Sequence, residues 1–480
     1  RLYIDGKLRP AKSGKLYDNI NPATAEVIGQ AADGGKEDME EAIAAAHRAF
    51  HETDWSTNKE LRLKVLKQFG EALRELAPQL REQVVAEVGA PMGITENGPQ
   101  YDVPVAYFDY YHDVLKNYKF EDDIGVAQSM GGPSRRLIWK EAIGVVGAIS
   151  PWNFPVQINI AKMAPALAAG CSVVLKSAPD TPWTASLFGK IAAEYTDIPA
   201  GVLNIITSSD IAGVGEQLVR DPRVDMISFT GSTATGRRIM AAASDTVKKL
   251  FLELGGKSAA IVLDDADFNS ALLIGFAVCF HAGQGCAIPT RVLLPKSRYE
   301  EGVAILKNYL GMMYPGDQFK AGQLIGAIVS KKQQERVLGL IETAKKEGAR
   351  LVLGGGVPKD LPGYFVEPTL FADVTPDMRI AQEEVFGPVL VAIPYEDDED
   401  AIRIANDSIY GLSGAVQSAS LERAIAVARR IRTGTMNING ANFYGADAPF
   451  GGYKQSGFGR EMGVMGFEEY LQTKTVAIPA

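Results

Sequence analysis

The chain is poor in the residues that build metal and disulfide sites. Its 480 residues include three cysteines (Cys171, Cys279, Cys286) and four histidines (His47, His51, His112, His281). Three thiols cannot make a disulfide framework. No CxxC is present for zinc or redox work, and no HExxH sets two histidines on one helical face, so no metal centre is expected. Positive charge is short as well: 49 lysines and arginines oppose 58 acids, a net of −9. That excludes a global field able to draw in nucleic acid or an anionic membrane. An uncharged stretch, 142–161, has the length of a membrane span, but Pro151, Asn153, Pro155, Gln157 and Asn159 interrupt it and would sit uncompensated in hydrocarbon. The opening RLYIDGKLRP lacks the apolar run of a secretory signal. Few thiols and no anchor predict a soluble, cytoplasmic protein.

Apolar residues make up 46% and charged residues 22% of the chain, the balance of a globular protein, and the length predicts two or three domains. Helical spacing appears at 38–50 (Met39, Ile43, Ala46, Phe50) and at 59–86 (Leu66, Phe69, Leu73, Leu76, Leu80). An aromatic segment with Tyr107, Phe108, Tyr110 and Tyr111 reads first as helix packing. From 143 onward short β-rich runs (144–149, 172–175, 202–206, 226–229, 259–263) alternate with helix-length segments at 156–168, 183–194, 211–219 and 233–243. This alternation predicts a parallel, doubly wound sheet covered on both faces. A second α/β series begins near 267, with helices at about 299–312, 332–346, 398–406 and 420–432. Residues 133–142 and the tail TKTVAIP read as strands of a projecting arm.

Two motif resemblances fail on chemistry. Glu253-Leu-Gly-Gly-Lys-Ser258 ends like a P-loop, but Phe251 stands where the first glycine must turn the phosphate cradle. No GxGxxG follows a predicted strand, so the usual dinucleotide fingerprint is absent. Phe229-Thr-Gly-Ser-Thr-Ala-Thr-Gly236 leaves a strand and enters a helix. Gly231 and Ser232 there suit an anion on free N–H groups, or an ordinary capped turn. Cys171 and Cys279 lie in apolar runs and read as small core residues. Cys286, in His281-Ala-Gly-Gln-Gly-Cys286-Ala, has small neighbours that leave its sulfur approachable, and nucleophilic use would require a thiolate and an oxyanion donor.

Six segments occur in order: Pro151-Trp-Asn-Phe-Pro155, Phe229-Thr-Gly-Ser232, Glu253-Leu-Gly-Gly-Lys257, Gly283-Gln-Gly-Cys286, Glu383-Glu-Val-Phe-Gly-Pro388 and Pro449-Phe-Gly-Gly-Tyr-Lys454. Together they resemble the aldehyde dehydrogenase superfamily over essentially the whole chain. The resemblance implies an α/β fold of two doubly wound Rossmann-like lobes with a small β oligomerisation arm. A dinucleotide-binding domain would comprise 1–120 and 141–254, a catalytic domain 255–452, and an oligomerisation element 121–140 with 453–480.

The same resemblance implies Cys286 as nucleophile, Asn153 as oxyanion donor with the Cys286 backbone N–H, and Glu253 as general base. It implies cofactor contacts at Ile149, Ser150, Trp152, Lys176, Gly231, Ser232, Glu384 and Phe386. Phe154, Ala161 and Tyr444 would line the substrate pocket. The expected cofactor is NAD; Pro179 stands where the family often has a glutamate for the ribose 2′-hydroxyl, which leaves NADP use open. Ala161 falls where many members carry tryptophan, implying room for a bulky, aromatic or medium-chain aldehyde. A homodimer or homotetramer is implied. Gly285 and Ala287 flank Cys286, so it has no vicinal thiol. Three alternatives stand beside this reading: a CoA-acylating enzyme, disfavoured by Glu253; a non-catalytic protein of the same fold; and a cysteine hydrolase, which would need His281, five positions upstream on an expected helix, to face the sulfur.

Overall fold

The computed structural model describes residues 1–480, with Ser129 described for its backbone alone. Two largely parallel sheets carry helices on their faces, and a three-stranded antiparallel sheet projects from them. In the first sheet five parallel strands lie in the spatial order Lys249–Glu253, Met226–Thr230, Val145–Ile149, Ser172–Lys176, Leu203–Ile206. The inner strands are near-continuous apolar runs such as VVGAI and SVVLK, because helices bury both of their faces. Antiparallel edges close this sheet: Leu2–Ile4 with Lys7–Arg9 at one side and Gly457–Phe458 at the other.

Strand Val145–Ile149 is followed in sequence by its neighbour on one side and later by Met226–Thr230 on the other. The winding therefore reverses between these two strands, and a crevice opens beyond their carboxyl ends. Helix Pro155–Ala169 starts just past one of them, with proline in its first turn where the missing N–H costs nothing. Helix Thr233–Ala243 starts just past the other, capped by Ser232, whose Oγ accepts from the Thr235 N–H.

The second sheet runs Arg350–Leu353, Thr369–Ala372, Val389–Tyr395, Arg291–Pro295, Ala259–Val262, Gly414–Gln417, Asn437–Ile438, parallel except at the first pair. The arm pairs Leu471–Pro479, Gly132–Ala142 and Glu121–Ser129. No helix among the described residues is long and apolar enough to cross a membrane.

The α/β expectation holds. The helix expected over 59–86 instead divides into Lys59–Glu75 and Ala77–Val88, hinged at Leu76. Pro78 is the reason: its ring clashes with the preceding turn, so a new helix starts around it. The helix expected over 420–432 stops earlier, as Leu421–Ala428. The expected helical setting of His281 is also corrected. His281 and Ala282 have φ of 49° and 51°, in the left-handed region, and Gly283 continues it at 71°. The aromatic segment does pack: Phe108 stacks on Phe69 at 5.2 Å, and Tyr107 and Tyr111 are buried beside it.

Candidate active site

The carboxyl ends of the first sheet face the amino ends of the second. A cleft of about 220 Å³ lies between them, lined by Pro151, Trp152, Asn153, Gly231, Ser232, Glu253, Gly255, Cys286, Glu384 and Phe386, with Thr230, Leu254, Gln333 and Arg336 completing the wall. Each lining group sits where an element starts or stops. Glu253 ends Lys249–Glu253; Gly255 and Gly256 carry the chain across to the second lobe; Cys286 precedes Arg291–Pro295.

Glu253 is 2% exposed, and one carboxylate oxygen, Oε1, has no partner. Burial, then the charge of Glu461, raises its pKa to about 8, against the opposing pull of the Cys286 thiol and of Lys162. Lys162 itself is wholly buried, bonded to Glu461 at 2.8 Å and to Ser228 Oγ at 3.2 Å. Cys286 is half-buried. Burial and the facing Glu253 carboxyl hold its thiol well above its ordinary range, so the resting group is a thiol beside a carboxyl. Asn153 donates Nδ2–H to the Gln284 carbonyl at 2.9 Å, and its own carbonyl accepts from Gln100 at 2.8 Å.

The opposite end of the cleft is equally built. Glu384 Oε1 accepts from the Gly256 N–H at 3.0 Å, and burial raises its pKa to about 7. A Cβ at residue 255 would lie 2.6 Å from Glu384 Oε2, so that position must be glycine for the carboxylate to seat. Arg336 holds the loop by donating to the carbonyls of Glu384 and Val385 at 2.6 Å, and Gln333 donates to that of Phe386 at 3.0 Å. Phe386 has φ 58° and meets Trp152 edge-on at 5.4 Å. Lys176 lies outside this cleft lining. It is buried, donates to the Ser177 carbonyl at 3.1 Å, and burial lowers its pKa to about 8. Ile149 and Ser150 run from the end of their strand into the cleft turn, and the Ser150 hydroxyl is unpartnered.

The three expected pocket residues separate. Phe154 lies beside Gly285 and His281, its ring 5.2 Å from the imidazole. Tyr444 lies near Tyr107 and Cys286, and burial followed by these neighbours raises its phenol pKa, within an aromatic group that includes Phe443 and Phe450. Ala161 is sealed in the core of helix Pro155–Ala169 and lines no part of the cleft. Sequence reasoning missed Arg336, Gln333, Lys162, Glu461 and the anchoring role of Gln284. Arg336 is 48 positions from Glu384, a separation that carries no pattern. His281 is buried, and neither ring nitrogen has a hydrogen-bond partner among the described residues.

A second, larger hollow of 540 Å³ lies at the far, carboxyl end of the second sheet, lined by Asp267, Ser270, Gln417, Asn439 and Asn442 among others. It holds no thiol. No cluster of metal-ligating side chains occurs among the described residues.

A half-buried thiol against a buried carboxyl, an amide beside them and a nucleotide-type crevice at a winding reversal define a class: thiol-dependent α/β oxidoreductases of two lobes. The chain belongs to the aldehyde dehydrogenase family, whose sequence model matches residues 8–476. It is 42% identical over 479 residues to a 3-succinoylsemialdehyde-pyridine dehydrogenase of a Pseudomonas species, covering 99% of this chain and 98% of that protein. Among solved structures it resembles a Mycobacterium tuberculosis aldehyde dehydrogenase complexed with NAD+ (39% identity, TM-score 0.95, covering 100% of this chain and 98% of that one). It also resembles the betaine aldehyde dehydrogenase of Staphylococcus aureus in complex with NAD+ (37% identity, TM-score 0.95, covering 99% and 94%).

The raised pKa of Glu253 has a stability consequence. The unfolded chain gives up this proton near 4.5 and the folded one near 8. The contribution is therefore complete below 4.5 and is lost as pH rises to 8. Glu253→Gln should lose less stability than the unsubstituted protein between pH 5 and 8, read as urea midpoints across that range.

Proposed function

We propose that the protein oxidises a bulky, aromatic-bearing aldehyde to its carboxylic acid with NAD through Cys286. The observation that carries this is the meeting of Cys286, Glu253 and Asn153 in one cleft. The cleft's groups fit a nicotinamide dinucleotide: the Ser232-capped helix start offers N–H groups to a pyrophosphate, Glu384 an acceptor to ribose hydroxyls, and Trp152 with Phe386 apolar walls to the ring. When bound, the nicotinamide takes a hydride from the substrate carbon.

The chain's own residues do the rest. Cys286 gives up its thiol proton to solvent, and its sulfur bonds to the aldehyde carbon as the carbonyl π bond opens onto oxygen. The oxygen then takes up negative charge, met by the Asn153 amide and the Cys286 N–H; such a donor contributes ~3–4 kcal/mol to the barrier. Once oxidised, the carbon is held as a thioester. Glu253, in its ionised form, then takes a proton from water, the hydroxide adds to the thioester carbon, the sulfur–carbon bond breaks, the proton passes from Glu253 to the departing sulfur and the acid leaves. Glu253 favours hydrolysis over transfer to CoA.

The substrate class rests on the pyridine-bearing aldehyde in the name of the 42% identical relative and on the aromatic residues Phe154, Tyr107 and Tyr444 grouped near the thiol loop. NAD is favoured by the two NAD+-bound relatives. Pro179 removes a carboxylate that would repel a 2′-phosphate, so NADP serves as a weaker alternative.

We also infer a homo-oligomer, dimer or tetramer, built through the arm. Its outer strands have open edges, and Ile124, Val126 and Ile478 are exposed on it, a surface that pairing with a second copy would cover.

Mixing enzyme, NAD and aldehyde should give a burst of NADH. Cys286→Ser should abolish burst and turnover, whereas Glu253→Gln should keep the burst and lose ~10²–10⁴-fold in steady-state rate. A series from acetaldehyde to aryl-substituted aldehydes, run with each cofactor, should give the highest kcat/KM for an aryl member with NAD. Acetaldehyde as the best substrate would refute the substrate class. Truncation after Tyr470 should shift the sedimenting species to monomer.

A further inference from the structure

We propose that Gln284 is the positioning residue that aims the Asn153 amide and holds the Cys286 loop, a role resting on the reaction proposed above. Gln284 is wholly buried, two positions before the sulfur. Its carbonyl accepts from Asn153 Nδ2 at 2.9 Å. Its side-chain Oε1 accepts from the Val329 N–H at 2.9 Å, and Nε2 donates to the carbonyls of Ala327 at 3.0 Å and His281 at 3.1 Å. One side chain thus ties three segments together: the thiol loop, the 327–329 stretch and, through its carbonyl, the turn that carries Asn153. The Ala327 N–H in turn donates to the Gly89 carbonyl at 3.0 Å, which extends the tie to the end of helix Ala77–Val88.

The loop needs such a tie. His281, Ala282 and Gly283 are three successive left-handed residues, and a Cβ at 283 would lie 2.1 Å from the Gly387 carbonyl. Non-glycine residues keep such a backbone only where their surroundings over-determine it. The Gln284 N–H and Nε2 both close onto the His281 carbonyl and so clamp the run at its end.

Asn153 needs it as well. Its Oδ1 has no partner, so the Gln284 carbonyl is the group that decides which end of the amide is nitrogen. If that carbonyl moved, the amide could turn over and present oxygen where the reaction builds negative charge, replacing a donor with a repulsive acceptor. The side chain must supply one acceptor and two donors at a single point. Glutamate would set oxygens against two carbonyls, and methionine has the length without the hydrogen bonds.

The test uses Gln284→Met, Gln284→Glu, Asn153→Ala and the double variant Gln284→Met/Asn153→Ala. The readouts are NADH formed in the first turnover and the Kd for NAD from fluorescence quenching. Gln284→Met should slow the first turnover about 100-fold and leave the Kd within about twofold. The double variant should be no more than about twofold slower than Asn153→Ala alone, because both changes remove the same aimed donor. A Gln284→Met enzyme with full first-turnover rate, losses that multiply in the double variant, a Kd that weakens in step with the rate, or failure of both Gln284 variants to fold would each overturn the proposal. An unsubstituted protein that forms no NADH would instead refute the aldehyde reaction itself, and this role with it.

Discussion

Removal of water from acidic groups at the junction of two lobes is the constraint on which the site depends. Glu253, Glu384 and the Cys286 thiol all border one small cleft, and burial raises the pKa of each, to about 8 and about 7 for the two carboxyls. Three negative charges there would repel strongly in a medium of low effective dielectric. The resting site avoids this by keeping protons, and Lys162, paired with Glu461 beneath Glu253, offsets the one further buried acid that acts on it.

The opposed orientation of the two sheets explains why so many functional groups sit on turns. One lobe offers the ends of its strands and the other offers the beginnings, so most of the cleft is walled by chain reversals, with Gln333 and Arg336 reaching in from helix Lys331–Lys346. Glycines at 255, 256 and 283 follow from this. Side chains at 255 and 283 would strike the Glu384 carboxylate and the Gly387 carbonyl, and one at 256 would lie 2.3 Å from the Cys286 carbonyl. The thiol loop, the crossover between lobes and the Glu384–Gly387 loop therefore abut backbone to backbone. A shift in one must move the others.

That backbone contact also separates what the sequence disclosed from what it did not. The doubly wound lobes were legible because buried parallel strands such as VVGAI and MISFT are apolar runs of fixed length separated by helical periods. The expected helix boundaries near Pro155, Pro182 and Ser232 lay within a residue or two because prolines and a capping serine mark them. The break at Leu76 was missed although Pro78 signals it, since the apolar spacing runs on through the hinge. The opening strands Leu2–Ile4 and Lys7–Arg9 are too short to show a period. Cys286, Glu253, Asn153 and Glu384 drew attention by motif. The groups that hold them did not: Gln284 acts across 45 positions to Val329, and Arg336 across 48 to Glu384, distances set by tertiary packing alone.

Ala161 shows the same limit from the other side. Read as a sequence position, a methyl in place of a large ring means added space. In the folded chain that methyl lies in a helix whose every residue is buried, one turn after Gln157 and directly before Lys162. A small residue there lets the helix pack closely and keeps Lys162 at its buried partners, so part of the volume is taken up by the core instead of opening as a void. Near the sulfur stands an aromatic group of Tyr107, Tyr444, Phe443 and Phe450, where Tyr107 meets Met462 at 3.8 Å and Phe443 stacks on Phe450 at 6.0 Å. Flat, polarisable rings favour ring faces over short aliphatic chains, so the aryl preference proposed above rests more on how these rings are held than on the missing tryptophan.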